Sequence, residues 1–405
     1  MRARSIRLAV VAVIAATSAL AAPAAGAADA VSGAGRPGSG AHTGQGTGTR
    51  PGPGQGSGTQ AGQGPAGDQR WEIARAGGLS PSAHLGSVTS AGPRAAWAVG
   101  HESLDAVPTG VVLRWDGEEW SRVRDAGLPD VRYWQTVSAA SPRDVWIYGW
   151  GENGEVTAHF DGHSWRRVDL PELPGGANYG YAEMASEHGR TWLAGGRRIN
   201  TYERGAWRTT ELPAGQDLVE IDARSAHDAW AVGASYPGGL ESRPLALRWN
   251  GKRWREVRLP DIPVRLSDVY VESARSVWVT GVFSPAGEEG LRPTVLHWNG
   301  KRWRDVTGPV SGIAPEALSG DGRGRVWLSG DPDGWEGPPV MWRHERGRWT
   351  RVEGATVPDG ETQSYTVHDL APIGRTGRHW AVGDYEWLDG KGNSFPYEII
   401  QRSRW

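Results

Sequence analysis

The chain has 405 residues, no cysteine, and 44 basic against 46 acidic side chains, for a formal net charge of −2. A charge this near zero gives no bulk attraction to nucleic acid or to an anionic membrane, and the missing cysteines exclude a disulfide framework or a lipid-modified thiol. The 23 tryptophans beside 3 phenylalanines and 3 methionines show one residue type used over and over, as a repeat protein would.

In chain order, residues 1–30 come first. MRARSIR is a basic n-region, LAVVAVIAATSALAA is an apolar h-region, and small residues offer cleavage near Ala27 or Ala30. That is the layout of a bacterial-type secretory signal peptide, with an apolar run too short for a membrane anchor. The expectation is a secreted, extracellular protein with no membrane span. Residues 31–70 are rich in Gly, Ser, Pro and Gln and almost empty of large apolar side chains. Such a segment cannot offset its ordering entropy, so it reads as a disordered spacer.

Residues 71–405 carry two interleaved motifs. The first is AWAVG (96–100), VWIYG (145–149), TWLAG (191–195), AWAVG (229–233), VWVTG (277–281), VWLSG (326–330) and HWAVG (379–383). Its tryptophans, Trp97, Trp146, Trp192, Trp230, Trp278, Trp327 and Trp380, recur about every 50 residues, a period typical of propeller blades. The second is RWDGEEW (114–120), HFDGHSW (159–165), TYERGAW (201–207), RWNGKRW (248–254), HWNGKRW (297–303) and MWRHERGRW (341–349).

One repeat reads strand by strand: DVYV is an inner strand, SVWVTG the second, TVLHW the third and WRDV the outer fourth. NGKR between the last two suggests a two-residue hairpin turn with both central residues at positive φ, and the flanking tryptophans should pack between blades. No stretch holds a 3.6-residue apolar period, so helix is not expected. The last repeat stops at QRSRW405 without an outer strand, while RWEIARAGGLSP (70–81) supplies the missing piece. The expected fold is all-β: a seven-bladed β-propeller of four-stranded antiparallel blades, closed by the N-terminal strand near Trp71. Closure removes exposed strand edges.

The hairpins DGEEW and NGKRW resemble a degenerate Asp-box, the S-x-D-x-G-x-x-W turn of sialidase-like propellers, with the residue between Asp and Gly missing at Asp116-Gly117 and Asp161-Gly162. The pairing of VWAVG-type strands with GxxW turns is similar to tectonin-type propeller lectins, whose repeat is shorter. In both families these motifs are scaffold, so the resemblance implies a propeller and no particular activity.

Function must then lie in the loops. Those joining second to third strands are acidic and aromatic, as in GHESLDAVPTG, GWGENGEVT and GDYEWLDGKGNSFP. Trp134, Trp150, Trp335 and Trp387 stand outside the repeat, accompanied by Tyr133, Tyr236, Tyr385 and Glu386. Rings that stack on sugar C–H faces beside carboxylates suit carbohydrate recognition; the bland alternative is that they plug the channel mouth or pack loop on loop.

The reading is therefore a secreted, non-enzymatic binding protein, expected to be monomeric, whose partner is a glycan, a cell-wall or cell-surface component, or a protein. The alternatives are a polysaccharide-active hydrolase or lyase on the same face, and a protein-interaction scaffold. No catalytic residue is assigned, because no sialidase-like set of Arg, Tyr and Glu can be assembled and the pairs Glu288-Glu289 and Asp331/Asp333 are adjacent in loops. No cofactor is expected, with calcium left open. Asp331-Pro-Asp333-Gly334 and Asp389-Gly-Lys-Gly-Asn393 have part of a calcium-loop spacing, but no bidentate Glu follows and Lys391 stands where an acid belongs. The 11 histidines form no H-x-H or H-E-x-x-H spacing, which disfavours zinc, and His227 and His344 read as surface turn residues.

Overall fold

The computed structural model describes residues 70–104, 107–172, 180–238, 242–283, 292–332, 337–358, 362–388 and 394–404. The expected signal peptide (1–30), the expected spacer up to residue 69, Glu288, Glu289, Asp333, Gly334, Trp335, residues 389–393 and Trp405 lie outside them, as does the side chain of Trp387. Among the described residues there is no helix, and the strands form seven four-stranded antiparallel sheets. Blade 5 is representative: Arg265–Ser273, Ser276–Phe283, Arg292–Trp298 and Trp303–Asp305 run from the channel outward. Each innermost strand touches the innermost strands of both neighbouring blades, so the seven form a closed ring.

The glycine ending each tryptophan motif has a steric cause. Gly100, Gly233, Gly281, Gly330 and Gly383 cross so close to the innermost strand that a Cβ would lie 1.8–2.0 Å from a backbone oxygen. At Gly149 and Gly195 the distance would be 2.2 and 2.3 Å. Just past this crossing the innermost strand takes one extra residue in six blades, at Gly86, Gln135, Val219, Ser267, Glu316 and His368. A β-bulge of this kind turns side chains that a regular strand would aim elsewhere.

The innermost strands of adjacent blades are joined by side chains. Val88 N–H donates to Asp369 Oδ2 at 2.8 Å, Ser186 N–H to Ser138 Oγ at 2.8 Å, and Val271 N–H to Asp222 Oδ2 at 2.6 Å. Asp268 accepts from Leu318 N–H in the same way. These groups satisfy backbone donors that the ladder leaves unpaired.

Farther out, tryptophans fill the blade interfaces. The second-strand Trp of one blade packs against the aromatic pair of the next blade's outer hairpin: Trp230 against Trp298 and Trp303 at 6.2 and 5.7 Å, and Trp380 against Trp115 and Trp120 at 5.0 and 5.1 Å. All seven motif tryptophans are buried. Their period is that of the blade because each fills one interface.

Ring closure follows the same rule. Trp71–Ala76 pairs antiparallel with Ser394–Ser403 as the outer strand of blade 7, with Trp71 opposite Ser403 and Glu72 opposite Arg402. The fully buried Glu398 then accepts from Arg75 Nε at 3.1 Å and from the N–H groups of Gly78 and Leu79 at 2.8 and 3.2 Å. The chain is thereby held as it turns from blade 7 into blade 1.

The hairpins differ from the sequence reading. Trp298 pairs with Trp303 across a four-residue loop, in which Gly300 alone has positive φ, at 88°. Asn299 instead caps the loop, its Oδ1 accepting from the N–H groups of Lys301 and Arg302 at 3.1 and 3.0 Å. Asn250, Asp116 and Asp161 do the same. The two-residue turn with both φ positive occurs where the sequence reads Arg-Gly: Arg204 and Gly205 at 53° and 84°, Arg346 and Gly347 at 52° and 79°. His344 is likewise not a surface turn residue; it lies in the strand Val340–Glu345, half-buried, with its ring 4.8 Å from Trp278.

Candidate functional site

Residues just beyond each motif glycine, and those opening each innermost strand, lie at the face where inter-blade and second-to-third connections meet. Gly110 N–H donates to Val131 O at 2.8 Å and Arg132 N–H to Trp150 O at 2.7 Å, joining the two kinds of connection. Several second-to-third segments are extended hairpins rather than loops. Gly151 pairs with Gly154 in blade 2, and Leu388 with Ser394 in blade 7.

This placement decides what the expected aromatics do. Tyr385 lies between Tyr365 and Tyr397 in a ladder across three strands, with ring centroids 6.0 and 5.7 Å away, and is 3% exposed. Trp134 is 2% exposed in the core between blades 1 and 2. Strand pairing carries both rings inward and leaves little of either exposed. Tyr236 is half-buried, its N–H donating to Gly215 O at 2.6 Å, and Glu386 is half-buried opposite Pro396. Trp387 pairs through its backbone with Phe395 and Thr362.

Tyr133 and Trp150 remain half-buried, directly opposite each other, with stacked rings 6.4 Å apart. They end a row of rings that spans three blades. From Tyr133 the next ring is His101 at 6.4 Å, then His84 at 5.5 Å, then His368 at 4.3 Å. All five rings are half-buried. Glu155 lies across from Trp150, and its charge helps burial raise the Tyr133 hydroxyl pKa.

The histidine end is charged. Asp384 Oδ1 lies 2.8 Å from both His84 Nδ1 and His368 Nε2, and His368 Nδ1 lies 3.2 Å from Glu316 Oε2. Burial would lower the His368 pKa, but Asp384 and Glu316 override it and hold it at about 10. Burial would likewise raise Asp384, yet the two imidazoles hold its carboxyl well below the usual range. His101, by contrast, is pushed down to about 4, first by burial and then by His84. Asp331 rises to about 6 through burial and the neighbouring Glu316, to which it is hydrogen-bonded.

Deeper in the channel, Glu183, Glu220, Asp268 and Asp369 occupy equivalent positions of four innermost strands, each opposite the residue before the motif glycine. Burial followed by the charge of Asp369 raises Glu183 to about 7, against hydrogen bonds from Thr136, Tyr181 and Gln135. Glu220 and Asp268 are raised well above the usual range, by burial and by other carboxylates of the layer.

No protein-family model matches the chain, and no curated protein matches it. Among solved structures it is similar to YCF48 from Cyanidioschyzon merolae, at 15% identity and a TM-score of 0.50, covering 82% of this chain and 98% of that one. It is also similar to the propeller domain of the trilobed protease from Pyrococcus furiosus, at 9% identity and 0.49 over 77% and 97%, and to a protein of unknown function from Dyadobacter fermentans, at 12% and 0.46 over 83% and 100%. The likeness is one of fold.

Sequence reasoning pointed to this face but did not single out the histidine–carboxylate cluster, whose members are scattered from His84 to Asp384. A signal was present in the repeat itself. His101, Trp150, Asp331 and Asp384 each follow the motif glycine directly, and Glu316 and His368 are bulge residues.

Proposed function

We propose that the protein is a secreted, non-enzymatic binding propeller that holds a saccharide of a glycan or cell-wall polymer along the ring row on its inter-blade face. The carrying observation is the run of half-buried rings from His368 through His84 and His101 to Tyr133 and Trp150, with carboxylates at both ends. Sugar C–H faces stack on such rings, and the carboxylates accept from hydroxyls. The Asx-capped hairpins support reading the blades as kin of Asp-box and tectonin propellers. Glu386, half-buried in blade 7, would flank the row, and Tyr236, half-buried beside blade 4, would lie across the ring from it.

A hydrolase or lyase would ask for two carboxyl groups about 5–10 Å apart, whereas Glu316 and Asp331 are joined directly by a hydrogen bond. That pair is too close for the two-carboxylate chemistry of glycoside cleavage.

The test is calorimetric titration of the full chain with a panel of glycans and cell-wall polysaccharides, alongside Tyr133→Ala and Trp150→Ala. Saturable binding by the wild type, weakened about fivefold in either variant, is expected, since a lost ring contact is worth roughly 1 kcal/mol. If no saccharide binds, or if the variants bind as tightly as the wild type, the reading fails and a protein partner takes its place.

A further inference from the structure

We infer that His84, His368 and Asp384 form a site for a single transition-metal ion, with zinc the best-fitting occupant, at the seam where the ring closes. The three come from separate strands, His84–Gly92 of blade 1 and Thr362–Pro372 and His379–Leu388 of blade 7, yet their ligand atoms all lie within 4.8 Å of one another. Two imidazole nitrogens and a carboxylate oxygen on one centre make the three-ligand set that zinc takes when a fourth position stays open. Imidazole also favours zinc, copper, nickel or iron over calcium and magnesium, which prefer oxygen donors.

The geometry needs little change to accept the ion. Both imidazole nitrogens stand 2.8 Å from Asp384 Oδ1. Ligands each ~2.0 Å from a tetrahedral zinc stand ~3.3 Å apart, so each pair must open by about half an ångström. His84 has that freedom, since its side chain is 37% exposed.

A second, independent observation is the support behind His368. Its far nitrogen, Nδ1, lies 3.2 Å from Glu316 Oε2, which orients the ring so that Nε2 faces Asp384 and His84. A carboxylate on the far nitrogen of a histidine is the arrangement that fixes metal-ligating imidazoles. Asp331 in turn hydrogen-bonds Glu316, so blade 6 holds the site from outside. Because the ligands span the seam between blades 7 and 1, a bound ion would join the blade completed by the N-terminal strand to its neighbour. A chain without disulfides would gain a cross-link there. This inference does not rest on the saccharide reading, although it uses His84, His368 and Asp384 at the end of the same ring row.

His84 and His368 lie 284 positions apart, so no local histidine spacing marks the site.

The experiment uses the full chain without an affinity tag, stripped with EDTA and then titrated with zinc chloride at near-neutral pH, with thermal unfolding recorded with and without zinc. The expected result is one zinc per chain and a rise in Tm on adding it. Both effects should vanish in His84→Ala and Asp384→Asn. Glu316→Gln, which leaves every ligand in place, should bind zinc ~10–100-fold more weakly. Comparing each protein with and without zinc separates metal binding from any loss of fold, and Glu316→Gln serves if a ligand variant does not fold. A wild type that takes up no zinc, or variants that keep the same affinity and the same Tm rise, would overturn the proposal and leave the cluster a proton-linked ion-pair network.

Discussion

Trp71 stands edge-on to Trp327, with ring centroids 5.3 Å apart and planes at 81°. Trp327 is the motif tryptophan of blade 6, and Trp71 fills the place that an outer-hairpin tryptophan fills in other blades. The strand Trp71–Ala76 thus completes the last interface of the ring. Trp71→Ala removes a fully buried indole and leaves a cavity at the closing blade. A loss of roughly 3–5 kcal/mol is expected, read as a lower urea midpoint. Truncation at residue 77 should be worse, because the paired strand goes too. A variant with an unchanged midpoint would mean that the N-terminal strand is dispensable.

Gly281 offers a more severe test of the blade geometry. A Cβ there would lie 2.0 Å from the backbone oxygen of Arg265, on the neighbouring strand of the same sheet. Backbone cannot move aside as a side chain can, so Gly281→Ala must push two strands apart at a bulge. The expected cost is about 3 kcal/mol or more, at the upper end for overpacking. Gly238→Ala, where nothing lies within 4 Å of the added carbon, is the matched control and should be near neutral. Circular dichroism melts of the pair would show the contrast.

These two positions also show why some of the molecule was legible in the sequence and some was not. The blade count, the strand order and the closure by Trp71 follow from tryptophans and glycines that recur because every interface and every crossing has the same shape. The channel-mouth cluster does not recur. His84, Glu316 and His368 each occur once at positions where other blades carry Arg265, Val219 or Gln135, and Asp384 shares its position with Asp331 alone while other blades carry residues such as Ala234, so no period marks them. The burial of Trp134 and Tyr385 is hard to read from the sequence for a related reason. They fall outside the repeat, and their segments read as loops, yet strand pairing extends past the motif glycine and turns both rings inward.

The hairpin loop of blade 5 rests on one side chain. Asn299 Oδ1 accepts from the backbone N–H groups of both Lys301 and Arg302. Asn299→Ala should cost about 1 kcal/mol, the scale of a lost side-chain cap. Asn299→Asp should cost only a few tenths, because Asp116 and Asp161 make the same contacts in blades 1 and 2. Urea midpoints for the two variants give the comparison, and equal losses would show that the cap is not what matters.

Glu183 makes stability depend on pH with a definite sign. It faces Tyr181, Thr136, Gln135, Glu220 and Asp369, and its pKa is raised from 4.5 to about 7 in the folded chain. The folded state therefore holds the proton more tightly than the unfolded one. The stabilisation is fully present below pH 4.5 and is lost as pH rises through about 7. A shift of this size is worth up to ~3 kcal/mol, since one unit is ~1.4 kcal/mol. Glu183→Gln stays neutral throughout and should be the more stable protein above neutrality, while the difference closes toward acid. Denaturation midpoints for both proteins between pH ~4.5 and ~8 would trace the window. Parallel profiles would mean that Glu183 titrates alike in both states and that the carboxylate layer imposes no such cost.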